Sequence, residues 1–321
     1  MSADGSALAA RLRDRDLGAA PAALNLLEST REDEREQAAA LLRGLSPSAL
    51  GGEAEGRIIG ITGPPGVGKS TLLSRLLAAW REHGMSVAML AVDPSSRRSG
   101  GSLLGDRARI EFDPTDRGVL IRSTAAGERL GGLAPATHAA ANALAAAFDV
   151  VVIETVGVGQ AETEVADVAD TVVVVVQPGG GDALQFLKAG IMEVPDVLVV
   201  TKADLGQIAT RTRRDLAAAL RSLGARSVPV VAVSSLAPPS GIEELRSALE
   251  EHRAQLDLPG ARLRSRRAAA LAEFALEHGE RGVRAVGGRN RARVLLEAQD
   301  PGLDVPDLRA ALEATLEQRA G

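Results

Sequence analysis

The chain has 321 residues, 45% of them hydrophobic and 25% charged, so it can bury a sizeable core. Its formal net charge of −5 is spread along the sequence, which argues against nucleic acid or an anionic membrane as the main partner. Cysteine is absent, which excludes disulfides and thiolate metal sites, and no apolar run resembles a signal peptide or membrane span, so we expect a cytoplasmic protein.

The sequence divides into three predicted zones. Residues 1–56 show apolar positions at helical spacing and are predicted to form an N-terminal helical arm. Residues 259–321 are predicted to form a C-terminal helical arm. Residues 57–258 alternate helical stretches with short β-branched runs. Fully apolar strands that alternate with helices indicate an α/β fold with a mostly parallel sheet, covered by helices on both faces. The predicted strands are "RIIGIT", "SVAMLAV", "GVLIRS", "DVVVIET", "DTVVVVV", "DVLVVTK" and "VPVVAV".

The first predicted strand runs into "GPPGVGKST", which fits the phosphate-loop pattern G-x-x-x-x-G-K-[ST] and precedes a helix. In this motif, backbone N–H groups surround phosphate oxygens, Lys69 reaches the terminal phosphates, and the Ser70 hydroxyl ligates Mg²⁺. The strand before and the helix after the motif therefore predict a P-loop NTPase domain. The predicted nucleotide-binding residues of the loop are Gly63, Pro64, Pro65, Gly66, Val67, Gly68, Lys69, Ser70 and Thr71.

The segment "VVTKADLG", at the end of a later strand, predicts recognition of guanine. Asp204 can accept hydrogen bonds from the N1–H and the exocyclic amine of guanine, a pair of donors that adenine lacks. Lys202, after Thr201, would pack its stem along the base. Ser234 and Ser235, one strand later, would contact the guanine oxygen. The alternative is a solvated loop after a strand, but beside a phosphate loop the motif favours GTP and GDP as ligands.

Three carboxylates are predicted near the metal and the γ-phosphate. Asp93 ends the second strand, Asp106 lies in a glycine-rich segment, and Glu154 ends another strand in "IETVGVGQ". Ligands of open α/β sheets bind at the carboxyl ends of the strands, so we assign these acids and Ser70 to a magnesium site. Gly157 would offer its N–H to the γ-phosphate. Each acid taken singly could instead be a turn or cap residue.

Lysine is scarce in this chain. Of its 37 lysines and arginines, only Lys69, Lys188 and Lys202 are lysine. Lysine presents a compact charge that suits a crowded site, whereas the guanidinium of arginine is planar and bulky. We therefore predict that Lys188 is a switch residue, which pairs with a carboxylate such as Asp182 or Glu154 in one nucleotide state. The alternative is an ordinary lysine on a helix surface.

The motifs "GITGPPGVGKST", "AVDPSS", "GGSLLGDRARI", "IETVGVGQAETEVAD", "GGDALQFLKAGIMEV" and "KAD" together resemble the MeaB/ArgK-type G proteins, the methylmalonyl-CoA mutase-associated GTPases. This family includes the human methylmalonic aciduria type A protein. The resemblance implies a Mg²⁺-dependent GTPase, usually a homodimer, that chaperones an adenosylcobalamin-dependent acyl-CoA mutase, gates its cofactor loading and protects it from inactivation. The catalytic residues predicted on this basis are Lys69, Glu154 and Lys188.

The sequence departs from the family pattern at two places. Thr201 stands where the family usually has asparagine, which weakens a loop-tying amide contact but leaves Asp204 in place, so we expect guanine specificity to survive. The loop 121–132 carries the unusual charges Glu128 and Arg129, which leaves the identity of the client mutase open. In addition, Val158 follows Gly157 where Ras-like proteins have the glutamine that orients water, so we expect slow intrinsic hydrolysis that a mutase accelerates.

Other classes of function remain as alternatives. A metallochaperone-like GTPase that inserts nickel should have a Cys/His site, yet cysteine is absent and the histidines His83, His138, His252 and His278 are far apart in sequence. An arginine/ornithine transport kinase would need a site for a phosphoacceptor, which the sequence does not show. A nucleotide-switched scaffold for another client enzyme is the non-enzymatic alternative.

The helical ends carry apolar stripes beyond what a nucleotide domain needs. Leu271, Phe274 and Leu276 lie in "LAEFALEHG", and "LNLLES" lies in the N-terminal arm. We predict a homodimer that forms chiefly through the C-terminal arm. The alternative is that both stripes pack within the same chain.

Overall fold

The computed structural model describes residues 4–93, 110–125, 133, 135–155, 164–179, 195–225 and 227–320. Within these ranges, seven strands form one sheet with the order β3-β2-β4-β1-β5-β6-β7, and every neighbouring pair is parallel. The strands are β1 Arg57–Thr62, β2 Val87–Asp93, β3 Val119–Ala125, β4 Val150–Thr155, β5 Thr171–Val176, β6 Val197–Val200 and β7 Val230–Ala232. Each strand overlaps one of the predicted apolar runs, and all neighbouring pairs are parallel, so the parallel-sheet prediction is confirmed.

The helices of the described residues precede, connect and follow these strands. None of them is both long and apolar enough to cross a membrane. They are α1 Gly5–Arg13, α2 Ala20–Leu27, α3 Glu32–Gly44, α4 Pro47–Leu50, α5 Lys69–Glu82, α6 Pro135–Ala145, α7 Gln207–Ser222, α8 Ile242–Gln255, α9 Leu258–Ala285, α10 Arg289–Glu297 and α11 Val305–Ala320.

The chain forms two compact units. The helical unit comprises Met1–Gly56, Pro135–Ala147 and Asp257–Gly321, and the sheet unit comprises Arg57–Ala134 and Phe148–Leu256. The sequence division assigned residues 135–147 to the central zone, whereas in the structure α6 packs against α2 and α9 of the helical unit. The assignment of separate roles to an N-terminal arm, a GTPase domain and a C-terminal dimerisation arm stays a prediction.

Both faces of the sheet are covered by helices of the sheet unit. One face packs Ile61 and Val152 against the apolar sides of α5 and α8, including the fully buried Trp80. On the other face Val174 and Leu198 pack against α7. Burial on both faces explains why the strands are apolar at consecutive positions and do not alternate with polar residues.

Aspartates fasten neighbouring strands at the amino edge of the sheet. Each precedes a strand and accepts a backbone N–H from the start of the neighbouring strand or from the residue just before it, which gives that donor a partner. The pairs are Ser86 N to Asp149 Oδ2 at 2.7 Å, Ile58 N to Asp170 Oδ2 at 2.9 Å, and Val172 N to Asp196 Oδ2 at 2.8 Å.

The core of the helical unit contains two of the three named residues of the predicted dimerisation stripe. Leu271 is 6% exposed and Phe274 is fully buried, because both pack against α10 and α11 of the same chain. The interpretation of these two residues as an intermolecular surface is therefore wrong. Leu276, five residues after Leu271 and therefore on another side of the helix, is 52% exposed. An apolar period identifies a buried face but does not tell which neighbour buries it.

Candidate nucleotide site

The loop between β1 and α5 has the backbone conformation of a phosphate cradle. Gly66 has φ 77° and Gly68 has φ 97°, in the left-handed region that favours glycine. At Gly63 a Cβ would lie 2.1 Å from the carbonyl oxygen of Val175, so only glycine fits between the loop and β5. Helix α5 begins directly after the loop, which directs its unpaired N–H groups and its positive dipole end into the cradle.

Lys69 lies across this loop. The residue is 7% exposed, and its Nζ donates to the carbonyl oxygens of Gly63 at 2.5 Å and Pro64 at 3.2 Å. A buried ammonium needs such acceptors. Terminal phosphates of a nucleotide would offer charged oxygens to the same group, and charge-assisted hydrogen bonds are stronger than those to neutral carbonyls.

The structure brings Ser70 and Glu154 together. Ser70 lies in the first turn of α5, and its Oγ donates to Oε1 of Glu154 at 3.3 Å. Glu154 reaches this position because β4 lies between β1 and β2, with Glu154 in register with Ile61 and Ala91. A hydroxyl and a carboxylate at the carboxyl edge of the sheet are oxygen donors of the kind that Mg²⁺ prefers.

A cleft of about 470 Å³ lies over the phosphate loop. This volume is within the usual range of small-molecule sites. Its lining includes Thr155, a residue that the sequence analysis did not single out, whose buried Oγ1 has no hydrogen-bond partner among the described residues. The lining residues are Pro65, Gly66, Gly68, Lys69, Ser70, Thr71, Ala91, Val92, Glu154 and Thr155.

Several residues predicted to belong to the nucleotide site lie outside the described residues or have side chains that are not described. The backbone of Asp93 ends β2, in register with Ala125, but its side chain is not among the described groups. Asp106, Gly157 and Lys188 lie outside the described residues, as does most of the loop 121–132. Their roles stay predictions.

Asp204 and Ser234 meet at the predicted base site. Asp204 is exposed, and its Oδ1 accepts a hydrogen bond from the buried Ser234 Oγ at 2.8 Å. The hydroxyl of Ser234 therefore orients the carboxylate, a role that the sequence analysis did not foresee. Ser235 contributes its carbonyl oxygen, which accepts from Arg75 Nε of the phosphate-loop helix at 3.1 Å.

Lys202 extends from the base motif toward the phosphate loop. Its backbone has φ 53°, an uncommon left-handed conformation for a residue with a side chain. Its Nζ donates to Gln177 Oε1 at 2.6 Å and lies 3.4 Å from the carbonyl oxygen of Gly66. These contacts hold Lys202 at the edge of the phosphate loop. That its stem packs along the base stays a prediction.

Thr201, predicted to make a weaker loop-tying contact than asparagine, donates a hydrogen bond to the phosphate loop. The residue is 3% exposed, and its Oγ1 donates to the carbonyl oxygen of Val67 in the phosphate loop at 2.6 Å, with the Val176 oxygen also in range at 3.0 Å. A threonine hydroxyl therefore ties the base motif to the phosphate loop in this chain.

A nickel-type site is not supported by the described histidines. Among the described residues, one group of side chains lies close enough together to hold a metal ion, and it belongs to the helical unit. In this group Arg309 lies 3.4 Å from Glu277 and 3.1 Å from Glu313. The guanidinium already supplies the positive charge there. The residues of the group are Glu277, His278 and Glu313.

The parallel sheet, the glycine cradle with Lys69, and the base motif with Asp204 define a P-loop GTPase. The chain belongs to the family described as methylmalonyl Co-A mutase-associated GTPase MeaB, whose family model matches residues 20–283. The family resemblance drawn from the motifs is confirmed.

Individual relatives agree with this assignment. A protein of Mycobacterium tuberculosis described as a probable GTPase is 44% identical over 253 residues, which are 77% of this chain and 74% of that protein. The mitochondrial methylmalonic aciduria type A homolog of Mus musculus is 39% identical over 248 residues, 73% of this chain and 59% of the mouse protein. A crystal structure described as LAO/AO transport system kinase covers 99% of this chain and 98% of its own, with a TM-score of 0.64 and 24% identity, and supports the fold alone.

Proposed function

We propose that this GTPase is a chaperone of an adenosylcobalamin-dependent acyl-CoA mutase of the methylmalonyl-CoA mutase type. In this role it gates loading of the mutase cofactor and protects the mutase from inactivation. The observation that carries the proposal is the match over residues 20–283 to a family described as mutase-associated, a span that includes the phosphate loop, Glu154 and the base motif. The mouse relative, named for methylmalonic aciduria, supports the same client class.

The residues beside the phosphate loop suit a magnesium ion. Ser70 and Glu154 bring a hydroxyl and a carboxylate oxygen within 3.3 Å of each other, a donor pair without sulfur or imidazole. Magnesium prefers such oxygens and usually retains several waters. When bound, it would neutralise charge on the β- and γ-phosphates. We assign Ser70 as the direct ligand, with Asp93, Asp106 and Glu154 as the surrounding carboxylates.

Three residues are proposed to support hydrolysis. Lys69, now held by loop carbonyls, would pair with the terminal phosphate oxygens of GTP. Glu154 holds the Ser70 hydroxyl and faces the cleft. Lys188 would couple the γ-phosphate environment to the partner. Because Val158 stands in place of a water-orienting glutamine, turnover by the protein alone is slow and a bound mutase raises it by ordering the loops.

The proposal is tested by measuring GTP hydrolysis with and without a mutase. The mutase is captured from the native cell with a GTP analogue. We expect slow turnover alone and a clear rise with the mutase, with Lys69→Ala as the inactive control. Nucleotide-dependent binding without a change in turnover would favour the scaffold alternative. Nickel binding without any mutase effect would favour a metallochaperone, and phosphate transfer from GTP to another protein would favour a kinase.

Lys188 is tested by comparing Lys188→Ala with Lys188→Arg. Both variants should keep GDP affinity within a few-fold and lose most of the mutase-stimulated hydrolysis, because a guanidinium does not replace a compact ammonium in a crowded site. Full stimulation of Lys188→Arg would contradict the argument from lysine scarcity.

A further inference from the structure

Two hydrogen bonds hold the peptide unit that joins Ser235 to Leu236, just after strand β7. Its carbonyl oxygen, on Ser235, accepts from Nε of Arg75 at 3.1 Å, and its N–H, on Leu236, donates to Oγ of Ser234 at 3.3 Å. A peptide unit is planar, so a contact that fixes the carbonyl also fixes the direction of the N–H. Arg75, on the phosphate-loop helix α5, therefore orients the N–H that the hydroxyl of Ser234 accepts.

The same hydroxyl continues this series of hydrogen bonds to the base motif. Ser234 is 5% exposed, and its Oγ donates to Oδ1 of Asp204 at 2.8 Å. A serine hydroxyl has one donor and two acceptor lone pairs, so it can accept from Leu236 and donate to Asp204 at the same time. The hydrogen bonds run in one direction from Arg75 through the peptide unit and Ser234 to the carboxylate. Bonds arranged in this way polarise and strengthen one another.

The side chain of Arg75 is not explained by an ion pair. Within the part of the chain that the structure describes, its guanidinium pairs with no carboxylate, and its hydrogen bond goes to Ser235. The side chain is half-buried. Lys69 lies six residues earlier on the same helix, about 9 Å along the axis. The helix that begins at the phosphate loop thus also contacts the loop beside the predicted base site.

We propose that Arg75 is a positioning residue for guanine recognition, which holds the carboxylate of Asp204 in its orientation through Ser234. This inference rests on the proposed role of Asp204 in binding the base. Asp204 is exposed, so a carboxylate without support would lose rotamer freedom when it bound guanine. The hydrogen bonds that begin at Arg75 restrict the carboxylate before the nucleotide arrives, and such preorganisation lowers the cost of binding.

The variants Arg75→Met and Arg75→Gln test this proposal. Both new side chains are unbranched and suit a helix, but only glutamine carries an N–H donor, and its Nε2 is as many bonds from the Cα as Nε of arginine. The dissociation constants of GDP and of inosine diphosphate (IDP) are measured by calorimetry. IDP lacks the exocyclic amine, one of the two donors that Asp204 is proposed to accept. The IDP-to-GDP ratio therefore reports on the carboxylate, whereas a general loss of structure weakens both nucleotides equally.

Arg75→Met should weaken GDP binding about three- to tenfold, the effect of one lost hydrogen bond, and IDP binding by a smaller factor. The IDP-to-GDP ratio should then fall at least about twofold, whereas Arg75→Gln should keep it near that of the original protein. Arg211→Met is the control for loss of a positive charge, because Arg211 on α7 is 85% exposed and lies 3.8 Å from Asp215 of the same helix. An unchanged ratio in Arg75→Met, or a glutamine variant as weak as the methionine variant, would overturn the positioning role.

A double variant tests whether Arg75 acts through Ser234. Both residues belong to one series of hydrogen bonds, so Arg75→Met should weaken GDP binding little further once Ser234→Ala is present. Effects that add in full would overturn the connection. Arg75→Ala, which also removes the donor and favours a helix, replaces Arg75→Met if that variant fails to fold. If the original protein binds GDP and IDP equally, the proposed guanine contact of Asp204 fails, which is a different result.

Discussion

The side-chain hydroxyl of Thr201 donates to the carbonyl oxygen of Val67 at 2.6 Å and thereby joins the base motif to the phosphate loop. The two residues are 134 positions apart in the chain. They meet because β6, which ends before Thr201, runs parallel to β5, which in turn pairs with β1 ahead of the loop. A hydrogen bond, in addition to the sheet, therefore links the two halves of the predicted nucleotide site.

Replacing Thr201 by valine should loosen this connection. Valine has nearly the same shape but no hydroxyl, so the Val67 oxygen loses a donor in a buried environment. We expect GDP to bind about two- to tenfold more weakly, chiefly through faster dissociation, which the fluorescence of a labelled GDP analogue would measure. Thr210→Val is the control, because its hydroxyl bonds to Gly206 at the start of α7. Equal affinities of the Thr201 variant and the original protein would contradict the role of the contact.

Local signals in the sequence were sufficient to predict the strands of the sheet and the phosphate loop. The apolar β-branched runs marked all the described strands because burial on both faces leaves no room for polar positions. The phosphate loop and its glycines were likewise recognisable, because the motif itself requires the backbone conformations found at Gly66 and Gly68.

Contacts between distant segments could not be derived from the same signals. The Oγ of Ser74 meets Glu111, 37 residues away, and Arg75 meets Ser235, 160 residues away. Such pairs depend on how strands and helices are arranged in space, and a polar residue on a helix gives no local sign of its partner. The spacing of Ser74 four residues after Ser70 would have shown that the two serines share a helix face, but not that Ser74 binds Glu111.

Guanine preference should depend on Asp204 and on its support by Ser234. We expect GDP to bind roughly tenfold or more tightly than ADP, because adenine leaves the carboxylate without its two donors. Asp204→Asn should erode this preference, and Ser234→Ala should weaken GDP binding by a smaller factor, since it removes the 2.8 Å contact that orients the carboxylate. Calorimetric titration of both nucleotides measures these effects. Equal affinities for GDP and ADP in the original protein would refute the guanine assignment.

The contribution of Glu273 to the stability of the helical unit should fall as the pH rises from about 4.5 toward 7. Burial raises the pKa of this carboxyl from 4.5 to about 7, Arg309 opposes the rise, and nearby Glu277 and Asp304 add to it. Between those pH values the folded protein holds a proton that the unfolded chain has released, so the free energy of unfolding falls as the pH increases. His138 contributes the opposite slope, because burial lowers its pKa from 6.5 to about 4.

Comparison with Glu273→Gln isolates the contribution of Glu273. The amide cannot ionise, so the variant should gain about 2 to 3 kcal/mol relative to the original protein between pH 4.5 and pH 8. Urea unfolding followed by circular dichroism across this range measures the difference. Glu280→Gln is the matched control, because Glu280 lies on the same helix but pairs with Arg289 and its side chain is 65% exposed. A constant difference between Glu273→Gln and the original protein at all pH values would show that Glu273 does not titrate in this range.

The homodimer prediction now depends on Leu276, the exposed member of the predicted stripe. Leu271 and Phe274 are buried within the helical unit, so they are unavailable to a second copy. Leu276 on α9 and Val294 on α10 remain about half exposed, at 52% and 51%. We therefore predict that Leu276 contributes to dimerisation.

Light scattering at micromolar concentration, with and without GDP, should give the mass of a dimer. Leu276→Glu should shift the protein toward the monomer, because a carboxylate buried at an interface without a partner is costly. Leu223→Glu is the control, since Leu223 is 46% exposed but follows α7 in the sheet unit, outside the C-terminal segment. A monomer in the original protein would refute the dimer, whereas a dimer that persists in Leu276→Glu would place its interface elsewhere on the chain.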